Sequence, residues 1–122
     1  PDLTRQLSRD KLPLQGKVQP ASAIDVHAST GLYGNIHSLA VSPMRNGLLA
    51  AGTDDGLIQV SRDDGKTWTK AARFPGVPDQ MKVAMVTWSP TREGTLFAVF
   101  DGHQDNDFRP HGVRSDDYGR TW

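Results

Sequence analysis

The sequence predicts an all-β chain made of two consecutive four-stranded antiparallel units, the second of them truncated. The first observation is a repeat. Ser61-Arg62-Asp63-Asp64-Gly65-Lys66-Thr67-Trp68 returns 54 residues later as Ser115-Asp116-Asp117-Tyr118-Gly119-Arg120-Thr121-Trp122, so S-x-D-x-G-x-T-W occurs twice without a mismatch. A period of this size signals stacked supersecondary units rather than one closed domain. The second is composition: 12 Gly, 8 Pro and 13 Asp against a single Glu suit a turn-dense β protein. The third is a series of short β-rich runs, each bounded by a turn signal.

Taken in order, residues 1–35 carry scattered apolar positions and three prolines (Pro1, Pro13, Pro20) without a sustained period of 3.6 or 2. They read as irregular chain between units, with room for one short helical turn near Leu3–Asp10. Ile36–Val41, Leu48–Gly52 and Leu57–Ser61 are then short β-rich runs, separated by Ser42-Pro43-Met44-Arg45-Asn46-Gly47 and by Thr53-Asp54-Asp55-Gly56. The octapeptide turn feeds a fourth run, Trp68–Ala71, which completes a first unit over 36–71. Residues 72–82 connect it to a second unit over 83–122, with strands expected near 83–88, 95–100 and 112–115. Its turn Ser89-Pro90-Thr91-Arg92-Glu93-Gly94 answers Ser42–Gly47 at an offset of 47, whereas the octapeptides are offset by 54. Seven extra residues therefore fall before the second octapeptide, and 101–112 is expected to be an enlarged loop between the second and third strands. The fourth strand of this unit would begin at Trp122.

Each position of the octapeptide has a physical task in a tight hairpin. The Asp carboxylate accepts hydrogen bonds from turn amides, and the Gly supplies a positive φ without steric cost. The Trp suits a buried ring that locks the hairpin onto a neighbouring sheet, with an indole N–H that needs a partner. Ser61, Asp63, Gly65, Thr67 and Trp68, with Ser115, Asp117, Gly119, Thr121 and Trp122, are accordingly read as structural, and no catalytic residue is assigned among them.

On these residues the octapeptide resembles the Asp-box, or bacterial neuraminidase repeat, of sialidases, some xyloglucan hydrolases and the sortilin ectodomain. The flanking segments Tyr33-Gly34-Asn35, Gly52-Thr53-Asp54-Asp55-Gly56-Leu57-Ile58-Gln59-Val60 and Phe74-Pro75-Gly76-Val77-Pro78 are similar to bacterial sortilin-like proteins often labelled glycosyl hydrolases. The resemblance runs from about residue 11 to the end, and Pro1-Asp2-Leu3-Thr4 resembles the tail of a preceding unit. It implies β-propeller blades, the octapeptide joining the third and fourth strands of each. Propellers close with roughly 4–8 blades, so two blades imply a piece of a larger parent whose remaining blades are its first partners. It also implies a secreted or periplasmic location.

Formal charge is zero, with 14 basic and 14 acidic residues, and no run of like charge suggests a nucleic-acid or membrane arm. No stretch approaches the ~18 apolar residues of a membrane-spanning helix. There are no cysteines, which excludes Cys-rich metal sites, and no cofactor fingerprint, Walker loop or nucleophile elbow is present. A sialidase would need an arginine cluster, a Tyr–Glu pair and an acid. The single Glu, Glu93, falls in a first-to-second-strand turn at the octapeptide end, and Phe108-Arg109-Pro110 lacks the Ile of the sialidase Phe-Arg-Ile-Pro motif. Asp101, Asp105 and Asp107 in the enlarged loop could form a carboxylate pair of the glycosidase kind. With His103 and His111 they could also ligate a cation, but the spacing departs from the Ca²⁺ loop pattern, so no metal is assigned. His27 and His37 are isolated, and Trp88, Phe97 and Phe100 are expected in the core.

Two functional classes follow. The favoured one is a non-catalytic scaffold binding a protein, a peptide or a glycan; the other is part of a glycoside hydrolase whose catalytic residues lie outside this chain. Because successive turns of an antiparallel unit alternate ends, 101–112 and 72–82 should lie at the end opposite both octapeptides. The expected binding loop comprises Asp101, His103, Asp105, Asp107, Phe108, Arg109 and His111.

Overall fold

The computed structural model describes residues 34–122, together with Asp2, Leu3, Val18 and Pro20. Residues 4–10 of the helical turn expected near Leu3–Asp10, and His27, lie outside the described residues. The strands are β1 (Ile36–Val41), β2 (Leu49–Thr53), β3 (Ile58–Ser61), β4 (Thr69–Ala71), β5 (Lys82–Trp88), β6 (Leu96–Gly102) and β7 (Asp107–Ser115). They form two antiparallel sheets, one of order β1-β2-β3-β4 and one of order β5-β6-β7. No α-helix occurs among the described residues; a single 3-10 turn spans His103–Asp105.

The two sheets repeat one another in detail. Each first strand carries an irregularity at the same repeat position, between Ile36 and Ser38 in β1 and between Val83 and Met85 in β5. Each first turn is closed by the same bond, Ser42 N–H to Leu48 O and Ser89 N–H to Thr95 O, both 2.9 Å. Each octapeptide turn is tied to it, Asp64 N–H donating to Gly47 O at 3.1 Å and Tyr118 N–H to Gly94 O at 2.9 Å.

Alternation along the strands gives each sheet two faces. In the first sheet one face, here called the front, carries Ser38, Gly52 and Ile58 in one register row and Ala40, Ala50 and Val60 in the next. In the second sheet the opposite face, the back, carries Val86, Ala98 and Val113 in one row and Trp88, Leu96 and Ser115 in another. The front of the first sheet packs on the back of the second. Ala50, Ile58, Val60, Val83, Val86, Trp88, Leu96, Ala98 and Phe100 form one buried cluster. A Cβ placed on Gly52 would lie 2.5 Å from Val83 Cγ1, so only glycine allows the two backbones this close. The Val86 N–H donates to Ser38 Oγ at 3.0 Å across the sheets.

Two expectations change here. Phe97 is 40 % exposed and outside the core, because it lies on the front of the second sheet, which no described element covers. The segment 101–112 is not an enlarged loop. The extra residues lengthen β6 and β7, which pair from Leu96↔Ser115 to Gly102↔Asp107, and the apex is reduced to the 3-10 turn and Asn106. The register slips between Phe100↔His111 and Gly102↔Asp107. Pro110, which has no N–H to donate, falls within this slip, where a strand tolerates it.

Candidate functional site

Both octapeptides consume their polar groups internally. Ser61 Oγ donates to Asp63 Oδ1 (2.9 Å) and accepts from Gly65 N–H (2.8 Å). Asp63 accepts Thr67 N–H on Oδ1 (2.8 Å) and the Thr67 hydroxyl on Oδ2 (2.6 Å). Trp68 Nε1 donates to Gly65 O at 2.9 Å. The second copy repeats this: Ser115 Oγ to Asp117 Oδ1 (2.8 Å), Gly119 N–H to Ser115 Oγ (2.8 Å), Thr121 N–H and hydroxyl to Asp117 (2.8 and 2.6 Å), and Trp122 Nε1 to Gly119 O (3.1 Å). Gly65 and Gly119 each sit at φ +82°.

The two Trp rings, expected to be buried, are half-buried and differ in what they touch. Trp122 packs edge-on against Phe74, with ring centroids 5.3 Å apart, and Phe74 in turn meets Phe100 at 5.0 Å. Trp68 folds over its own turn, close to Gly65 on the side where Leu49 also lies.

The hydroxyl and amide of Thr67, then Ser61 and Lys66, hold the Asp63 carboxyl down at about 2 from its ordinary 3.8, and Thr121, then Ser115 and Arg120, do the same for Asp117. Both pKa values are depressed on folding, so the stability these groups contribute is present above pH 3.8 and is lost as pH falls through about 2. Acid unfolding of Asp63→Asn and Asp117→Asn should therefore show a weaker pH dependence than wild type within that window. Identical slopes would contradict the bonding described above.

At the other end of the sheets lies the β6–β7 hairpin. Met81 Cε lies 2.5 Å from the position of a Cβ on Gly102, and Lys82 pairs with Asp101 across the β5–β6 ladder, so the connection 72–82 reaches this end as well. The candidate binding residues form two ordered groups. Asp101 accepts the His103 backbone N–H (3.1 Å) and lies 2.7 Å from His103 Nδ1, with Lys82 Nζ 3.9 Å away. Asp107 takes a bidentate pair from Arg109, Nε to Oδ1 at 2.9 Å and an Nη to Oδ2 at 2.7 Å, and His111 Nε2 lies 3.0 Å from Oδ2. Arg109 thereby holds the Asp107 carboxyl well below the usual range, and His103 depresses that of Asp101. Phe108, between Asp107 and Arg109 in β7, is 77 % exposed, and Asp105 is exposed at the apex.

Glu93 serves the octapeptide end, accepting from the Tyr118 hydroxyl at 2.9 Å and from Arg45 at 3.3 Å. Sequence reasoning did not identify Lys82 or Asp54. Asp54 accepts the backbone N–H groups of Gly34 and Asn35, both at 2.8 Å, and so pins the chain entering β1. The Thr53-Asp54-Asp55-Gly56 turn signalled a hairpin, but nothing local marked its carboxylate as a clamp on a segment twenty residues away. Among the described residues no group of three His, Cys, Asp or Glu side chains is arranged to hold a metal, and no helix is long and apolar enough to cross a membrane. No protein-family model and no curated protein matches this chain.

Proposed function

We propose that the chain is a pair of successive blades of an Asp-box β-propeller of the sortilin-like kind, exported from the cytoplasm, and that it binds a protein, peptide or glycan through the β6–β7 hairpin end. The stacking of two repeat-equivalent sheets front to back supports the propeller reading, since a propeller is built by repeating that contact. The observation that carries binding is the hairpin itself. Phe108 is presented to solvent on the strand that also carries Arg109 and His111, both already held by Asp107, so those two side chains have little rotamer entropy left to lose when a ligand is engaged.

Within this chain, the state of Asp101 and Asp107 speaks against those two serving as a glycosidase pair. A glycosidase needs one carboxyl that stays protonated as general acid. Asp101 and Asp107 are both held ionised by basic partners, and Asp63, Asp116 and Asp117 move in the same direction.

The test is to titrate the chain with neutral and sialylated oligosaccharides and with a random peptide library, and to recover the bound ligand. Phe108→Ser should weaken the best ligand by about tenfold or more while leaving the unfolding midpoint unchanged, and the ligand should be recovered intact. Cleaved ligand would show that this chain itself carries hydrolytic residues and overturn the binding reading, and equal binding by the variant would remove the hairpin from the site.

A further inference from the structure

Four steps of the chain put Asn or Asp before glycine: Asn46-Gly47, Asp55-Gly56, Asp64-Gly65 and Asp101-Gly102. In such a pair the side-chain carbonyl carbon can reach the next backbone nitrogen, which glycine leaves unshielded for want of a Cβ. The three Asp steps are held. Asp55 is fully buried with its carboxylate on the Thr53 hydroxyl, and the Gly56 N–H donates to Thr53 O at 3.3 Å. The Gly65 N–H is taken by Ser61 Oγ at 2.8 Å. The Asp101 carboxylate is taken by His103, with Lys82 close by. Asn46 differs from all of them. It is exposed, and among the described residues neither its side chain nor the Gly47 N–H has a hydrogen-bond partner. It is also the one amide of the set, and a neutral amide carbon accepts a nitrogen nucleophile where an ionised carboxylate resists it.

We propose that Asn46 is a self-modification site, converted within the folded chain to aspartate and isoaspartate. The Gly47 nitrogen attacks Cγ of Asn46; the N–Cγ bond forms, the Cγ–Nδ2 bond breaks, and Nδ2 leaves as ammonia with the proton given up by Gly47. Water then opens the cyclic imide. Opening at Cγ yields aspartate, and opening at the main-chain carbonyl yields isoaspartate, which adds a methylene to the backbone. The repeat shows why the product matters. Position 46 is equivalent to Glu93, and Asp64 to Tyr118. In the second sheet an acid is accommodated, because the Tyr118 hydroxyl donates to Glu93 at 2.9 Å and its ring lies 3.0 Å from the position of a Cβ on Gly94. In the first sheet the Asp64 carboxylate occupies that place, 3.0 Å from the position of a Cβ on Gly47. Asn46 is neutral in this setting, and its conversion adds a second negative charge to the same turn. The new carboxylate also offers Arg45 an acceptor besides Glu93, its present partner on the other sheet at 3.3 Å. The turn so disturbed is the one that anchors the first octapeptide, through Asp64 N–H to Gly47 O at 3.1 Å. The inference is independent of the hairpin and of the binding reading above.

The test is to incubate the folded chain in mildly alkaline buffer, digest it, and read each peptide by mass spectrometry and by labelling with isoaspartyl methyltransferase. Position 46 should convert to a mixture of aspartate and isoaspartate about tenfold or more faster than Asn35 or Asn106, the other two asparagines, which precede Ile and Asp. Asn46→Gln, whose longer side chain must close a larger ring, should abolish the label at this position. The same incubation in denaturant supplies the rate of the unfolded chain. Conversion of Asn46 in denaturant but not in the folded chain would overturn the proposal, as would label arising first at Asp64 or Asp101. The effect on the turn is read from Asn46→Asp, which should lower the unfolding midpoint in urea. The shift should be smaller in a chain that also carries Asp64→Tyr, a change this backbone admits because Asp64 and Tyr118 share a positive φ, 59° and 61°. Equal shifts in the two backgrounds would overturn the assignment of Asp64 as the group that opposes the product.

Discussion

Truncating Trp122 to alanine is expected to lower the unfolding free energy by about 2–3 kcal/mol, somewhat less than the loss of a fully buried aromatic because the ring is half-buried, and the same change at Trp68 by clearly less. The two residues occupy identical positions of an identical motif, and both satisfy their indole N–H on the carbonyl of the turn glycine. Their difference comes from which face of which sheet they cover. Trp122 lies on the side of the second sheet that is buried against the first, and joins Phe74 and Phe100 in one aromatic cluster. Trp68 lies on the corresponding side of the first sheet, which carries the exposed Leu39 and Val41. Urea unfolding of the two variants beside wild type measures the difference, and equal losses would mean that the motif acts only within its own turn.

Gly52→Ala carries the next largest expected effect. The added methyl would overlap Val83 Cγ1 at 2.5 Å and sit 3.0 Å from Val83 Cβ, and β-branched Val83 in a strand between packed neighbours has no free rotamer into which to retreat. Overpacking of this kind costs about 1–3 kcal/mol. Val83→Ala also destabilises on its own by opening a cavity. Combined in one chain, the two changes should destabilise by less than the sum of the separate effects, since the space removed from one sheet is what the other requires. Strict additivity in denaturant melts would show that the two side chains do not meet.

The strands of both sheets were legible in sequence within a residue or two, apart from the β6–β7 hairpin, because their turns carry chemistry with a fixed geometric meaning. Ser42–Gly47 and Ser89–Gly94 close with the same backbone bond, and the octapeptides close with the same side-chain bonds. The hairpin was misjudged because Asp101–Gly112 is rich in Asp, Gly and Pro, which mark turns when only local propensity is weighed. Pairing with Leu96–Gly102 outweighed that propensity, and the strain was absorbed as a register slip at Pro110. The exposure of Phe97 was not legible either. An apolar residue in a strand belongs to one face or the other, and which face is covered depends on the direction in which the units stack. At the candidate site the sequence indicated the residues of the hairpin end. The two groupings, Asp101 with His103 and Lys82, and Asp107 with Arg109 and His111, needed coordinates, since Lys82 comes from a different strand.

The central claim is that repeat-equivalent sheets stack front to back. Methyl-resolved nuclear Overhauser spectroscopy on the chain, recorded at two concentrations so that contacts within one chain are told from those between chains, tests it most directly. The stacking brings Val60 Cγ2 to 2.9 Å from the position of a Cβ on Gly119, and Val83 Cγ1 to 2.5 Å from that of a Cβ on Gly52. Cross-peaks from the Val60 methyl to Gly119 and from the Val83 methyl to Gly52 are therefore predicted; a spectrum with the ladder contacts of each sheet but neither of these would contradict the account.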